Sequence, residues 1–133
     1  METVEIDVAT GTELVTDLTD HLLRFCSDLG DGLVNVFVPH ATAGVALMET
    51  GSGSETDLAH TIDRLLPRDA AYRHRHGSPG HGRDHVMPCF VGSSATLPVV
   101  AGHPLFGTWQ RLVLVDSNVD NRQRQVRFTF LSG

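Results

Sequence analysis

Lysine is absent from this chain, and all ten of its cationic side chains are arginine. Sixteen Asp and Glu outweigh them, for a formal charge of −6, so the overall basic field that favours nonspecific nucleic-acid binding is missing. Cysteine is equally scarce. Cys26 and Cys89 lie far apart among apolar neighbours, which excludes a CxxC redox or zinc pair and reads as two reduced core thiols. No window approaches the ~20 apolar residues of a spanning helix. The start, Met1 to Val8, has neither a basic n-region nor a long apolar stretch, so the expectation is a cytoplasmic protein without a membrane partner. At 133 residues, with no internal repeat, the chain reads as one domain over 1–133 that buries roughly two-thirds of its unfolded surface.

What is present is mostly strand. Val4, Ile6 and Val8 alternate with polar residues, Leu33 to Val38 is rich in β-branched residues, and Val45 to Met48 resumes after Gly44. Gln110 to Asp116 holds a continuous apolar run, Leu112-Val113-Leu114-Val115, which marks a buried, central strand. Thr96 to Val100 carries Pro98 and suits an edge. Val126, Phe128 and Phe130 alternate in the last strand and imply one buried face. Helical spacing occurs twice, at Leu22, Leu23, Cys26 and Leu29 behind a cap at Thr19, and at Leu58, Ile62, Leu65 and Leu66 behind a cap at Ser54. Val86 to Val91 fits a short helix or a strand equally well. The class is α+β, a β-rich antiparallel sheet or sandwich with two or three short helices.

Eight histidines are many for this length, and five fall between 74 and 103. Arg68 to Asp84 is polar and irregular, a length of loop that in a compact domain is usually functional or disordered. No HExxH or other familiar zinc spacing occurs, yet histidines distant in sequence can converge on a metal. His40 follows a strand and Pro39, with Thr42 two residues on and Glu49 after the next strand. That grouping offers a proton carrier, a hydroxyl and a carboxylate, and it equally suits a histidine capping a strand turn. Ser94 and Thr108 stand beside glycines, and Arg122 and Arg124 share one side of an extended segment. Such groups suit a phosphate, although arginines on a strand commonly do no more than solvate it. Trp109, the only tryptophan, fits either a pocket mouth or a core position after the turn at Gly107.

The stretch Ser94 to Leu112, reading Ser-Ala-Thr-Leu-Pro-Val-Val-Ala-Gly-His-Pro-Leu-Phe-Gly-Thr-Trp-Gln-Arg-Leu, closely resembles the signature of the YjbQ family, whose members are described as secondary thiamine-phosphate synthase enzymes. His40-Ala41-Thr42-Ala43-Gly44 is similar to that family's His-Thr-Ser/Thr-Ala-Gly segment. Glu49 and His85 fall on its acidic residue and its later histidine. The resemblance implies a β-rich α+β fold and a homotrimer with pockets near subunit boundaries. It also implies a weak transferase activity that joins a pyrimidine methyl diphosphate to a thiazole phosphate and releases pyrophosphate. It places catalysis on His40, Glu49 and His85, and a phosphorylated ligand on Thr42, Ser94, Thr108, Trp109, Arg122 and Arg124. A divalent ion, Mg or Zn, is expected on His40, His85 and His74. Ala41, Met48 and Met87-Pro88 stand where the family carries polar groups. The competing expectation is a non-catalytic trimeric protein that binds a phosphorylated metabolite or a metal.

Overall fold

The computed structural model describes residues 1–133. Its elements are β1 (Glu2–Ala9), β2 (Val15–Asp17), α1 (Thr19–Cys26), β3 (Gly32–Phe37), β4 (Ala43–Met48), α2 (Ser54–Leu65), α3 (Gly82–Val91), β5 (Ser94–Val100), β6 (His103–Pro104), β7 (Arg111–Asp116) and β8 (Gln123–Ser132). Every strand pair is antiparallel. Five strands form one sheet in the order β1-β8-β3-β5-β6, and three form a second in the order β2-β7-β4. This is the β-rich α+β architecture expected from the strand patterns.

The continuous apolar run of β7 explains the layering. Leu112 and Leu114 point into a core shared with Val34, Val36, Val126 and Phe128 of the larger sheet, while Val113 and Val115 point the other way onto Ile62 and Leu66 of the α2 segment and Met87 of α3. Successive side chains of a strand face opposite sides, so a strand apolar at every position must be covered on both. The molecule is thus sheet on sheet, with α2 and α3 on the outer face of the smaller sheet. Truncating Leu112 or Leu114, both fully buried, would cost about 2–5 kcal/mol.

Several local expectations need correction. Thr19 does not cap α1: Leu18 holds that position, the Thr19 N–H donates to Asp17 Oδ1 at 2.8 Å, and the Thr19 hydroxyl serves β7 through the Leu112 N–H at 3.0 Å. Gly53, with φ of 97°, precedes α2 in place of Ser54. Cys89 is exposed, so only Cys26 is a core thiol. Burial pushes that thiol up to about 11. Val86 to Val91 is helical and belongs to a longer helix that begins at Gly82 and runs through Pro88. Gly44 lets the end of this helix dock on β4, because a Cβ there would stand 2.5 Å from the Gly92 carbonyl oxygen, the atom that accepts the Val45 N–H. No helix is long and apolar enough to cross a membrane.

Candidate functional site

The segment between α2 and α3 folds back on itself and delivers histidines to the start of α3. Arg68 anchors it, donating to both oxygens of Asp84 at 3.3 Å and to the Ser117 carbonyl at 2.7 Å. The Tyr72 hydroxyl donates to the Pro67 carbonyl at 2.8 Å. Gly80 passes so close to Arg68 that a Cβ would meet its carbonyl oxygen at 2.4 Å, and its φ of +78° is one that side-chain-bearing residues rarely adopt. Four histidine rings are gathered as a result. The His74 ring centroid lies 3.9 Å from His76, 4.1 Å from His85 and 5.8 Å from His81.

His74, His81 and His85 each offer one ligand atom within 4.8 Å of the others. His81 and His85 are four residues apart on one turn of helix, so they share a face. His81 Nδ1 sits 3.2 Å from Asp84 Oδ2 and 3.3 Å from Asp120 Oδ2, which places its proton on that nitrogen. Its other nitrogen, Nε2, lies 3.1 Å from His85 Nε2, within hydrogen-bond distance of it. Two nitrogens bound tetrahedrally to one zinc stand about 3.3 Å apart, given Zn–N bonds of about 2.0–2.1 Å. His74 Nε2 is buried and has no hydrogen-bond partner. Burial lowers the affinity of His74 and His85 for protons, and the neighbouring histidines lower it further. Imidazole nitrogens turned toward one another suit a borderline-soft divalent cation that takes the place of the proton between them, and a carboxylate on the remote nitrogen of one of them is the usual support of a metal-bound histidine.

A second charged cluster lies where β7 and β8 meet at the base of the turn between them. Arg124, only 3% exposed, pairs with buried Asp116 through Nε–Oδ2 and through Nη2–Oδ1 at 3.2 Å. Its Nη2 also donates to Thr42 Oγ1 at 3.1 Å, and the Asn118 amide reaches the same oxygen at 3.3 Å. His40 lies beside this pair and accepts the Gln125 N–H on Nε2 at 2.8 Å. Burial and the Arg124 charge both lower its proton affinity. The turn itself links the two clusters, since the Ser117 hydroxyl donates to Asp84 at 2.7 Å and Asp120 accepts the Ser78 N–H at 3.0 Å.

The residues expected to meet at one place are therefore divided. His40, Thr42 and Arg124 come together around Asp116, whereas His74 and His85 come together around His81. His40 is not part of the histidine cluster. Glu49, Ser94 and Thr108 are exposed and join neither group. Trp109, 74% exposed, is not in the core. Arg122 is exposed near Asn118 and enters no ion pair with a carboxylate. Sequence reasoning missed His81, Asp84, Asp116 and Ser117. The spacing of His81 and His85 is a signal for one helix face, but it becomes visible only when α3 is extended back to Gly82.

The fold and these clusters define a small antiparallel α+β sandwich whose polar groups gather on the turns that leave its smaller sheet. A family model described as UPF0047 protein YjbQ-like matches residues 3–133, and the chain belongs to that family. A UPF0047 protein of Mycobacterium tuberculosis is 58% identical over 133 residues, which is 100% of each chain. Among solved structures, a hypothetical protein from Aeropyrum pernix K1 matches with a TM-score of 0.89 and 30% identity, covering 100% of both chains. A YbjQ-like protein of unknown function from Sulfolobus solfataricus P2 matches with a TM-score of 0.91 and 23% identity, covering 99% of this chain and 97% of its own, a likeness of fold.

Proposed function

We propose that His74, His81 and His85 hold a divalent metal ion and that the protein uses it on a phosphorylated small molecule. The joining of a pyrimidine methyl diphosphate to a thiazole phosphate is the reaction to which the family resemblance points. The observation that carries the metal is the buried, unpartnered Nε2 of His74 beside the His81–His85 pair. Nitrogen donors suit zinc better than magnesium, which prefers oxygen. A bound divalent ion would neutralise charge developing on the departing pyrophosphate. The bond between the pyrimidine methylene and oxygen breaks with its electron pair leaving on pyrophosphate, and the thiazole nitrogen lone pair forms the new bond to carbon. No proton moves in that step, which accords with a histidine cluster whose buried carboxylate, Asp84, is already engaged by Arg68 and Ser117.

Zinc titration into chelator-treated protein, followed by a coupled assay for thiamine phosphate, tests both parts. Stoichiometric zinc that is lost in His85→Ala supports the metal, and metal-dependent turnover supports the transferase. Zinc and saturable substrate binding without product would instead favour the non-catalytic binding protein. The reading includes the trimer. Trp109, Phe90 and Leu105 are exposed apolar side chains of the kind an adjoining chain covers. Light scattering that shows a stable monomer at micromolar concentration would remove that part.

A further inference from the structure

A cavity of about 380 Å³ shares Arg68 and Ser117 with the surroundings of Asp84, yet none of the histidines lines it. Three guanidinium groups reach it from separate parts of the chain: Arg68 after α2, Arg83 on α3 and Arg122 before β8. Its volume lies in the lower part of the range for small-ligand pockets, roughly 300–1,000 Å³. Its lining differs from most of them, because only Leu14, Ala59 and Val119 are apolar. A neutral, apolar molecule would leave the remaining polar groups desolvated and unpaired.

The donors that lack partners indicate what would suit it. Arg83 is buried, and its Nη1 is held by Asp63 at 2.6 Å and the Leu66 carbonyl at 3.3 Å, while its Nε makes no hydrogen bond and stands 3.8 Å from Asp84 Oδ1. Arg122 meets no carboxylate at all. The acidic groups of the wall are engaged elsewhere, Asp63 on Arg83 and Asp116 on Arg124, and Glu13 is exposed. A buried guanidinium already held by the exposed Asp63 carboxylate and the Leu66 carbonyl gives up little side-chain freedom when it binds a ligand. Several acceptor oxygens on one small group match planar guanidinium forks better than any neutral function does.

We propose that this cavity is an oxyanion site for the phosphate or diphosphate group of a small metabolite, with Arg83 as the fixed guanidinium and Arg122 as the one that closes on the ligand. The inference deepens the reading above by giving the phosphorylated ligand a place. It rests on that reading only for the ligand's chemistry, and the guanidiniums hold the anion whether or not the metal is bound.

Isothermal titration of the intact, chelator-treated protein with inorganic pyrophosphate tests the site. The expected result is saturable binding that weakens roughly tenfold to hundredfold in Arg122→Gln, the loss of one charge-assisted contact. Arg83→Gln should weaken it at least as much in protein whose urea transition remains cooperative, and His85→Ala should leave it unchanged. Because Arg122 is exposed, its variant reads binding without a folding defect. Absence of pyrophosphate binding overturns the proposal, as does an Arg122→Gln variant that binds like the parent, or binding abolished by His85→Ala alone. Pyrophosphate binding in a protein that takes up no zinc would sustain this site and overturn the metal reading alone.

Discussion

The two charged clusters joined by the turn after β7 differ in how completely their polar atoms are matched. Around Arg124 the guanidinium meets both oxygens of Asp116 and the Thr42 hydroxyl, and Asn118 supplies another donor to that hydroxyl oxygen. Around His81 the match is incomplete, because His74 Nε2 lies buried and bare beside two other imidazoles. Closed networks of buried charge hold a chain in one arrangement, whereas a buried polar atom without a protein partner leaves a place for a water or an ion. By this criterion the first cluster is structural, and the second is the one on which the proposed metal reading rests.

The largest effect should come from breaking the closed cluster. Arg124→Ala leaves Asp116 buried and unpaired, and should cost about 3–5 kcal/mol in urea denaturation. Replacing both partners at once, Arg124→Met with Asp116→Leu, should recover much of that loss, since no isolated charge then remains. An Arg124→Ala protein as stable as its parent would show that Asp116 is hydrated in solution, and the contrast between the clusters would fail.

A smaller and more selective effect is expected from Asp84→Asn. The carboxylate fixes His81 with its proton on Nδ1, and the amide would hold that tautomer less firmly. Supports of this kind typically contribute 10–100-fold to metal affinity, so zinc competition with a chromogenic chelator should register a loss in that range. Asp84 also meets Arg68 and Ser117, so stability will fall as well. The affinity ratio between folded variant and parent is the diagnostic quantity. If the ratio stays at unity, Asp84 supports the loop and not a metal ion.

The same contrast shows how much of the molecule was legible beforehand. Strands were readable because burial on one face or two writes a period into the sequence: Val126, Phe128 and Phe130 alternate, and Leu112 to Val115 do not. The first turn of α3 was not readable. Its residues, Gly82-Arg83-Asp84-His85, are polar because they take part in the ion pairs and hydrogen bonds of the loop before it, and they erase the apolar period that marks a helix. Arg124 and Asp116 were obscure for a related reason. Each lies at a strand position where a polar residue normally signals solvent, and only their mutual pairing makes burial tolerable. Family resemblance pointed to His40, Thr42, His85 and Arg124, but side-chain type and spacing carry no information about which of them meet.

The smallest effect concerns an ion pair that resembles the Arg124–Asp116 pair in chemistry and differs in setting. Arg111 Nε donates to Asp17 Oδ2 at 2.8 Å, with the two side chains 42% and 38% exposed. Burial raises the Asp17 pKa, but hydrogen bonds from Thr19 and Arg111 and the Arg111 charge outweigh it, and the carboxyl is held below the usual carboxylate range. Its folded pKa lies under the unfolded value of about 3.9, so its contribution to stability is full above that pH and fades as pH falls through the folded pKa. Asp17→Asn keeps an oxygen for the Thr19 N–H but removes the charge together with the Oδ2 acceptor of Arg111. The cost near pH 7 should be no more than about 1 kcal/mol, because solvent screens an exposed pair. It should shrink below about pH 4 and also in molar salt, where screening acts within a few ångströms. Urea midpoints of parent and variant at both pH values measure the difference directly. A gap that persists in acid would mean that Asp17 acts through its hydrogen bonds and not through its charge, and that burial is not what separates this pair from Arg124–Asp116.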